Sequence, residues 1–557
     1  MIRSAFSALL LKGITMDSQK TAENLSELFE SYESIRIPEY QRAYSWEEKQ
    51  CTQFFEDLIE QTGKSYYLGQ VLVNNENGTI YIIDGQQRIT TSILFLAAVL
   101  KKTINSELKE ICKKFTSEVF ETIPFDQPVF ERITQKFQIR SDEETISQKR
   151  ITNAFKIFST LIADREDDFL ADMVKTLIYA KINTVMICSK IEAAQIFEYQ
   201  NNRGKELTRF EVIKAYLIHQ AYVTSNSPLE ATRLISHINE LVSRIYRNLE
   251  AVEGYLSENE ILDKFCYLHL DINGSIDSIK EKFKNSSDKP QWIKLFFKGM
   301  SSISDAAKAV VKKSTHKEIM DLFLVGNEVD WKIVLISIFD NGDDAEELFP
   351  TIAKNLEILS FKMKLGDFRT DRLPSVAKKY FTTKDLSALA QSIKEYASTG
   401  FKSYWNNDAA FENIISKYFV ENTHHYDRSI IKYILWQYEN HLRIKSKSGL
   451  LLDKNLFKEY SIEHIAPQNP DKEVYPDEFI ANYLNRAGNL SLLTGSQNSS
   501  ISNSSYENKK IRYQDTALIS YKEIRDHEQW NEKEILNRHQ NIIDFVLPYF
   551  SINEKVG

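Results

Sequence analysis

The stretch 79–96, TIYIIDGQQRITTSILFL, constrains this chain more than any other. Tyr81, Ile82 and Ile83 form a short β-branched and aromatic run, the pattern of a buried strand. From Ile89 to Leu100 the residues are almost all apolar, the pattern of a buried helix. Between them stand Asp84, Gly85, Gln86, Gln87 and Arg88, so a carboxylate, two amides and a guanidinium sit between two core elements. Such groups need partners, because a polar group buried alone costs about 1–3 kcal/mol. A strand that stops, a glycine and a helix start also turn free N–H groups and a positive dipole end outward, which suits a phosphate. The competing reading is a plain turn, with Asp84 as helix N-cap and Arg88 in a surface ion pair.

The rest of the chain is read around that motif. A length of 557 residues implies several cores. Only 17 glycines and 11 prolines interrupt it, which argues for long helices. The net charge of −8 would repel nucleic acid, so any such partner must be held by local basic patches. Cys51, Cys112, Cys188 and Cys266 are widely spaced without metal-ligand spacing, as in reduced cytoplasmic proteins. No run of apolar residues is long enough to span a membrane. The apolar run near the N-terminus is only about seven residues and lacks a cleavage site, so a leader ahead of a start at Met16 is the favoured reading.

In chain order, residues 25–29 belong to an amphipathic helix, and Pro38 extends Ile37. Ser45 is expected to cap a helix over 46–61. Residues 66–73 read as a strand that turns over 74–78 and pairs with 79–83 as a hairpin. Gln41 and Arg42 form a second polar cluster able to join Asp84–Arg88 in one pocket. Helices are expected over 107–121, 127–139 and 145–163, a strand over 182–188 and a helix over 192–199. Asn201, Asn202, Arg203 and Gly204 then form a loop with the ingredients of a phosphate contact, or alternatively a glycine C-cap. Thr208 caps a helix over 209–222. From 228 to 441 the pattern is helical, with joints at 271–274 and 284–290 and a locally basic cluster at 362–372. Residues 445–449 form the joint before the last module.

That module contains SIEHIAPQ (461–468) and GNLSLLTGSQN (488–498), which read as strand, loop, strand and short helix. Glu463 and the Asn498 amide oxygen are hard ligands of the kind Mg²⁺ accepts. His464 can take a proton from an attacking water near neutral pH. Asn489 can hold the loop carrying His464, and Lys509 and Lys510 are expected near a phosphate chain. A lone histidine is usually structural, but Glu463, Asn489 and Asn498 at this spacing favour a nuclease site.

These pieces resemble two families. IPEYQRAYSW, YYLGQVLV, IIDGQQRITT and IFEYQNNRGKELTRFEVIKAYL, within 20–220, resemble the DGQQR-motif domain of the ParB/sulfiredoxin-like superfamily. IEHIAPQ, GNLSLLTGSQN and NKK, within 455–550, resemble an HNH (His-Me finger) domain. Together they are similar to GmrSD-type Type IV restriction enzymes and the related phosphorothioate-sensing SspE proteins.

The resemblance implies an α+β, mostly helical protein. A nucleotide-binding αβ domain (17–225) and a helical recognition region (226–445) would precede a ββα-metal nuclease domain (446–557). It implies that an NTP (GTP, ATP or another), bound and hydrolysed by the first domain, controls cleavage of double-stranded phage DNA with Mg²⁺ or Mn²⁺. By the family pattern Asp84, Gly85, Gln86, Gln87 and Arg88 shape the nucleotide site, supported by Arg42, Asn201 and Arg203. His464 is the general base, Asn498 the far metal ligand and Asn489 a positioning residue. Glu463 stands where many HNH proteins carry Asp, and no Walker A motif is present.

Two classes of function follow. One is an NTP-regulated endonuclease in antiphage defence. The other is a nucleotide-dependent sensor that binds DNA or a partner through a non-catalytic nuclease module. Glucosylated hydroxymethylcytosine, phosphorothioate linkages and unmodified phage DNA are all open as the sensed chemistry, and a homo-oligomer is open as the assembly.

Overall fold

The computed structural model describes residues 22–38, 41–76, 78–140, 145–186, 208–313, 317–326, 329–340, 342, 347–366, 371–400, 413–426, 430–447, 450–501 and 503–552. It is mostly helical, with two small sheets. The chain divides into two compact units, Met1–Lys308 and Ala309–Gly557. The helical middle of the sequence reading is therefore shared between them.

In the first unit, β1 (Ser34–Arg36), β2 (Tyr67–Glu76), β3 (Thr79–Asp84), β4 (Phe120–Glu121) and β5 (Lys181–Met186) form one sheet in the order β4-β1-β3-β2-β5. The expected β2–β3 hairpin is present and antiparallel, with a bulge between Leu72 and Val73. Its strands run through Glu76, further than the sequence suggested, so the turn is shorter. The β1–β3, β1–β4 and β2–β5 pairs are parallel. Alternation sends Ile80 and Ile82 into the main core and Ile83 to the other face, against Leu72.

The helix Gln86–Lys102 runs through the middle of that core, with Ile89 to Leu100 buried at every position. A helix apolar on all sides must be covered on all sides. Here the helices Ser106–Phe115, Gln127–Lys136 and Ile146–Leu161 cover it. The helix expected over 107–121 stops at Phe115, and its tail becomes β4. The helix Asp167–Ile178 had no sequence expectation. Thr208 caps Arg209–Thr224 as expected, through a capping box with Glu211. Ser45 does not cap: the helix is Glu48–Glu60, and Glu47 and Gln50 form its capping box. The helix expected over 192–199 lies outside the described residues.

In the second unit, helices surround a two-stranded antiparallel sheet, β6 (Tyr460–His464) with β7 (Leu490–Thr494). The helix Gly495–Ile501 follows, giving the expected strand, strand, helix order. The helix Glu532–Tyr549 packs on the turn before β7. There the Arg538 Nη1 donates to the carbonyls of Gly488 (2.9 Å) and Leu490 (2.7 Å). Gly488 is required at that crossing, since a Cβ would lie 2.0 Å from the Ile535 carbonyl oxygen. The basic cluster at 362–372 is not a solvated face throughout. Lys362 is buried and donates to the Ala397 carbonyl (2.8 Å), so it is unavailable to a phosphate. Among the described residues no helix is long and apolar enough to cross a membrane.

Candidate functional site

The DGQQR segment is a strand end, a hinge and a helix start. Gly85, not Asp84, is the N-cap, and its φ of 97° is the left-handed conformation that favours glycine. Gln86, Gln87 and Arg88 thus form the first helical turn, and most of their polar groups are already engaged. Gln41 Nε2 donates to the Ile83 carbonyl (3.0 Å), and Gln86 Nε2 to Gln41 Oε1 (3.4 Å). Gln87 Nε2 donates to the Ala43 carbonyl (3.1 Å), while its Oε1 accepts from the Ser45 N–H (2.9 Å). The two glutamines therefore fasten the 41–45 loop onto the helix. Gln86 Oε1 is buried and makes no hydrogen bond.

Arg88 is a staple. Its Nη1 donates to the Leu68 carbonyl (2.9 Å) and its Nη2 to that of Gln70 (2.7 Å). Gly69 makes this possible: its φ is +120°, and a Cβ would lie 1.8 Å from Arg88 Nη1. Asp84 lies 3.8 Å from Arg88, an ion pair as the turn reading expected for Arg88, although the guanidinium is mostly buried and not at the surface. Arg42 is partly buried beside Glu211, at 3.4 Å. It also lines a small cavity with Tyr44, Gln87, Thr90, Thr122 and Asp126, with room for about one water.

Asp126 belongs to this site without any motif to mark it. It is buried, accepts from the Ser147 hydroxyl (2.6 Å) and the Tyr44 N–H (3.4 Å), and burial pushes its carboxyl up to about 6. Ser147 also donates its N–H to Glu250 (3.0 Å), whose carboxyl burial pushes up to about 7. Only the spacing of Asp126 before an amphipathic helix marked it, and that is the ordinary mark of a cap. Asn201 and Arg203 lie outside the described residues.

In the second unit, His464 ends β6 and Asn489 directly precedes β7. Asn489 bonds to the residues that follow His464. Its Oδ1 accepts from the Ala466 N–H (2.8 Å) and Trp530 Nε1 (2.9 Å), and its Nδ2 donates to the Leu484 carbonyl (2.7 Å). Its own carbonyl accepts from the Ile465 N–H (2.9 Å). The histidine ring meets Asn485 Oδ1 through Nε2 (3.0 Å) and packs on Tyr426, with centroids 4.4 Å apart. An amide oxygen accepts only, so Nε2 carries the proton and Nδ1 is the basic nitrogen of the neutral ring. Asn485 in turn receives the His425 and Tyr426 N–H groups on its carbonyl (2.9 and 3.2 Å). Neither Asn485 nor Tyr426 carried a sequence signal, because their partners are distant in the chain.

Asn498, on the helix after β7, donates Nδ2 to Ser461 Oγ (2.8 Å) and the Ile462 carbonyl (3.1 Å). Those two bonds fix the amide against β6. Glu463 is buried, and its Oε1 is engaged by Lys509 (2.8 Å) and the Tyr513 hydroxyl (2.9 Å). Burial raises its pKa, and Lys509 opposes that shift. Lys509 and Lys510 do not face a phosphate chain as expected. Lys509 is 1% exposed and donates to the His464 carbonyl (2.6 Å). Lys510 donates to the His527 carbonyl (2.6 Å). Among the described residues no three His, Cys, Asp or Glu side chains converge as a metal cluster. The oxygens of this module that could serve a hard cation are Asn498 Oδ1 and those of Glu463, a carboxylate already shared by Lys509, Tyr513 and the His464 N–H.

The model of the GmrSD restriction endonuclease N-terminal domain matches residues 25–218. The model of the GmrSD restriction endonuclease C-terminal domain matches 406–545. The second match begins ahead of the 445–449 joint, in keeping with His425 and Tyr426 buttressing the histidine. No curated protein matches the chain. The two matches together cover more than half of the sequence and hold both sites just described, and the chain belongs to the GmrSD restriction endonuclease family.

Proposed function

We propose that the chain is an NTP-regulated, metal-dependent DNA endonuclease of antiphage defence that senses DNA modification in the cytoplasm. Membership of the family supports a restriction endonuclease acting on DNA. The observation that carries the finer reading is His464 at the end of β6, its Nε2–H held by Asn485, with the amide of Asn498 fixed against the same strand at Ser461 and Ile462. In this reading the β6–β7–helix unit is an HNH-type ββα fold and the first unit a ParB/sulfiredoxin-like domain.

His464 Nδ1 accepts the proton of a water as its oxygen bonds to phosphorus, and the P–O bond to the leaving oxygen breaks. Asn485 keeps the ring in the tautomer that can do so. Glu463 and Asn498 would hold Mg²⁺ or Mn²⁺, which would polarise the scissile phosphate and stabilise the leaving oxygen. Asn489 keeps the loop after His464 from drifting.

The nucleotide reading assigns phosphate contacts to the Gly85 backbone and the N–H groups opening the helix, with Arg42, Asn201 and Arg203 as cations and amide. One observation supports it, the left-handed Gly85 at the helix start. Gln87 and Arg88 shape this site from behind, by fixing the 41–45 loop and β2, and Asp84 borders it. The test is hydrolysis of each NTP by the wild type and by Arg42→Ala. Loss of hydrolysis with an unchanged melting temperature supports the assignment, and unchanged hydrolysis removes it.

A second reading is favoured by one observation, the ammonium of Lys509 beside Glu463. In it the module binds DNA without cutting, and nucleotide-dependent sensing supplies protection. A plaque assay separates the two, because His464→Ala then protects as the wild type does.

A further inference from the structure

We infer that Lys509 is a positioning residue of the nuclease site, holding the end of β6 so that His464 and Glu463 project in fixed directions. The inference deepens the nuclease reading and rests on it.

The Lys509 ammonium bridges two consecutive residues. Nζ lies 2.8 Å from Glu463 Oε1 and 2.6 Å from the His464 carbonyl oxygen. Both side chains are nearly closed to solvent, at 1% for Lys509 and 4% for Glu463. Tyr513, one helical turn on from Lys509, donates to the same Glu463 oxygen (2.9 Å). The next two peptide groups are pinned from the other side, the Ile465 and Ala466 N–H groups bonding to the backbone and side chain of Asn489. Four successive residues at the exit of β6 are thus tied by side chain, carbonyl or N–H. The imidazole of His464 stands on the peptide that Lys509 grips.

The consequence separates positioning from phosphate binding. An ammonium this buried, with two anionic or carbonyl partners, does not reach a DNA phosphate while it holds them. Removing it leaves a buried carboxylate without its cation and the His464 carbonyl without its donor. The strand end is then free to turn, and a displacement of about 1 Å at a reacting group costs on the order of 100-fold in rate.

The test compares full-length wild type, Lys509→Met and Lys509→Gln, the last keeping one donor for the His464 carbonyl without the charge. Single-turnover cleavage with Mg²⁺ is measured at a temperature where circular dichroism shows each protein folded, alongside DNA affinity without metal. Hydrogen exchange of the peptide spanning 460–468 is followed by mass spectrometry. The inference predicts cleavage by Lys509→Met slower by about 100-fold, DNA affinity within twofold of wild type, and faster exchange at 460–468, with Lys509→Gln intermediate in all effects. Wild-type cleavage and exchange in the folded variants overturn it. So does a tenfold loss of DNA affinity with unchanged cleavage at saturation, which returns Lys509 to phosphate contact. If Lys509→Met does not fold, Lys509→Gln alone decides by the same criteria. Absence of cleavage by the wild type sinks the nuclease reading instead, and the exchange measurement still decides whether Lys509 holds the strand end.

Discussion

The Nε2–H of His464 points at Oδ1 of Asn485 from 3.0 Å, and the carbonyl of Asn485 accepts the N–H groups of His425 and Tyr426. The histidine is thereby oriented by a residue that is itself anchored twice. Asn485→Ala should slow cleavage by about 10- to 100-fold, by analogy with other groups that orient a reacting histidine, and leave DNA affinity unchanged. Single-turnover rates with saturating DNA check this, and an unchanged rate would show that Asn485 does not orient the ring.

Arg88 binds two carbonyls of β2, over a glycine that has no room for a side chain. Gly69→Ala and Arg88→Ala should both destabilise the first unit. The expected loss for Arg88→Ala is about 2–4 kcal/mol, from two charge-assisted hydrogen bonds in a partly buried setting. Urea unfolding followed by fluorescence measures it. A loss of nucleotide affinity without any loss of stability would mean that Arg88 contacts the ligand directly.

Asp126 and Glu250 have folded pKa values raised by burial to about 6 and about 7. The folded state therefore holds their protons more tightly than the unfolded chain. Their contribution to stability is complete below the ordinary carboxylate range and falls as pH rises from about 4 to about 7. Asp126→Asn should flatten part of that fall, read as the difference in urea midpoint between pH 5 and pH 8. The same slope in the variant would show that Asp126 is ionised throughout.

Much of this was legible in the sequence. The β2–β3 hairpin, the apolar helix after the motif, the Thr208 cap and the strand, strand, helix order around His464 all follow from local periodicity and capping chemistry. What local patterns missed depends on contacts distant in the chain. Arg88 reads as an available guanidinium until Leu68 and Gln70 are seen to fold back on it. Lys509 and Lys510 read as a basic pair until their partners prove to be carbonyls and a buried carboxylate. Asn485 and Asp126 carry no motif at all. Gly85 takes the cap from Asp84 because the chain must reverse there with positive φ, a demand no hydrophobic pattern records.

Asn498 is held against β6 by two hydrogen bonds through Nδ2. Asn498→Ala should raise the Mg²⁺ or Mn²⁺ concentration needed for half-maximal cleavage by about 10- to 100-fold. Chelation with EDTA should abolish cleavage and spare DNA binding. Mn²⁺ binding followed by electron paramagnetic resonance gives the same comparison without the reaction, and equal affinity in wild type and variant would remove Asn498 from the ligand set.

The central claim is that bond breaking belongs to His464, while the DGQQR unit governs when it occurs. The direct measurement is cleavage of matched modified and unmodified DNA by wild type and His464→Ala, with Mg²⁺, with and without each NTP, recording NTP hydrolysis in the same tubes. The account predicts that the wild type cuts one of the two DNAs in a nucleotide-dependent way, and that His464→Ala cuts neither while hydrolysing NTP at the wild-type rate. Cleavage by His464→Ala at the wild-type rate would contradict it.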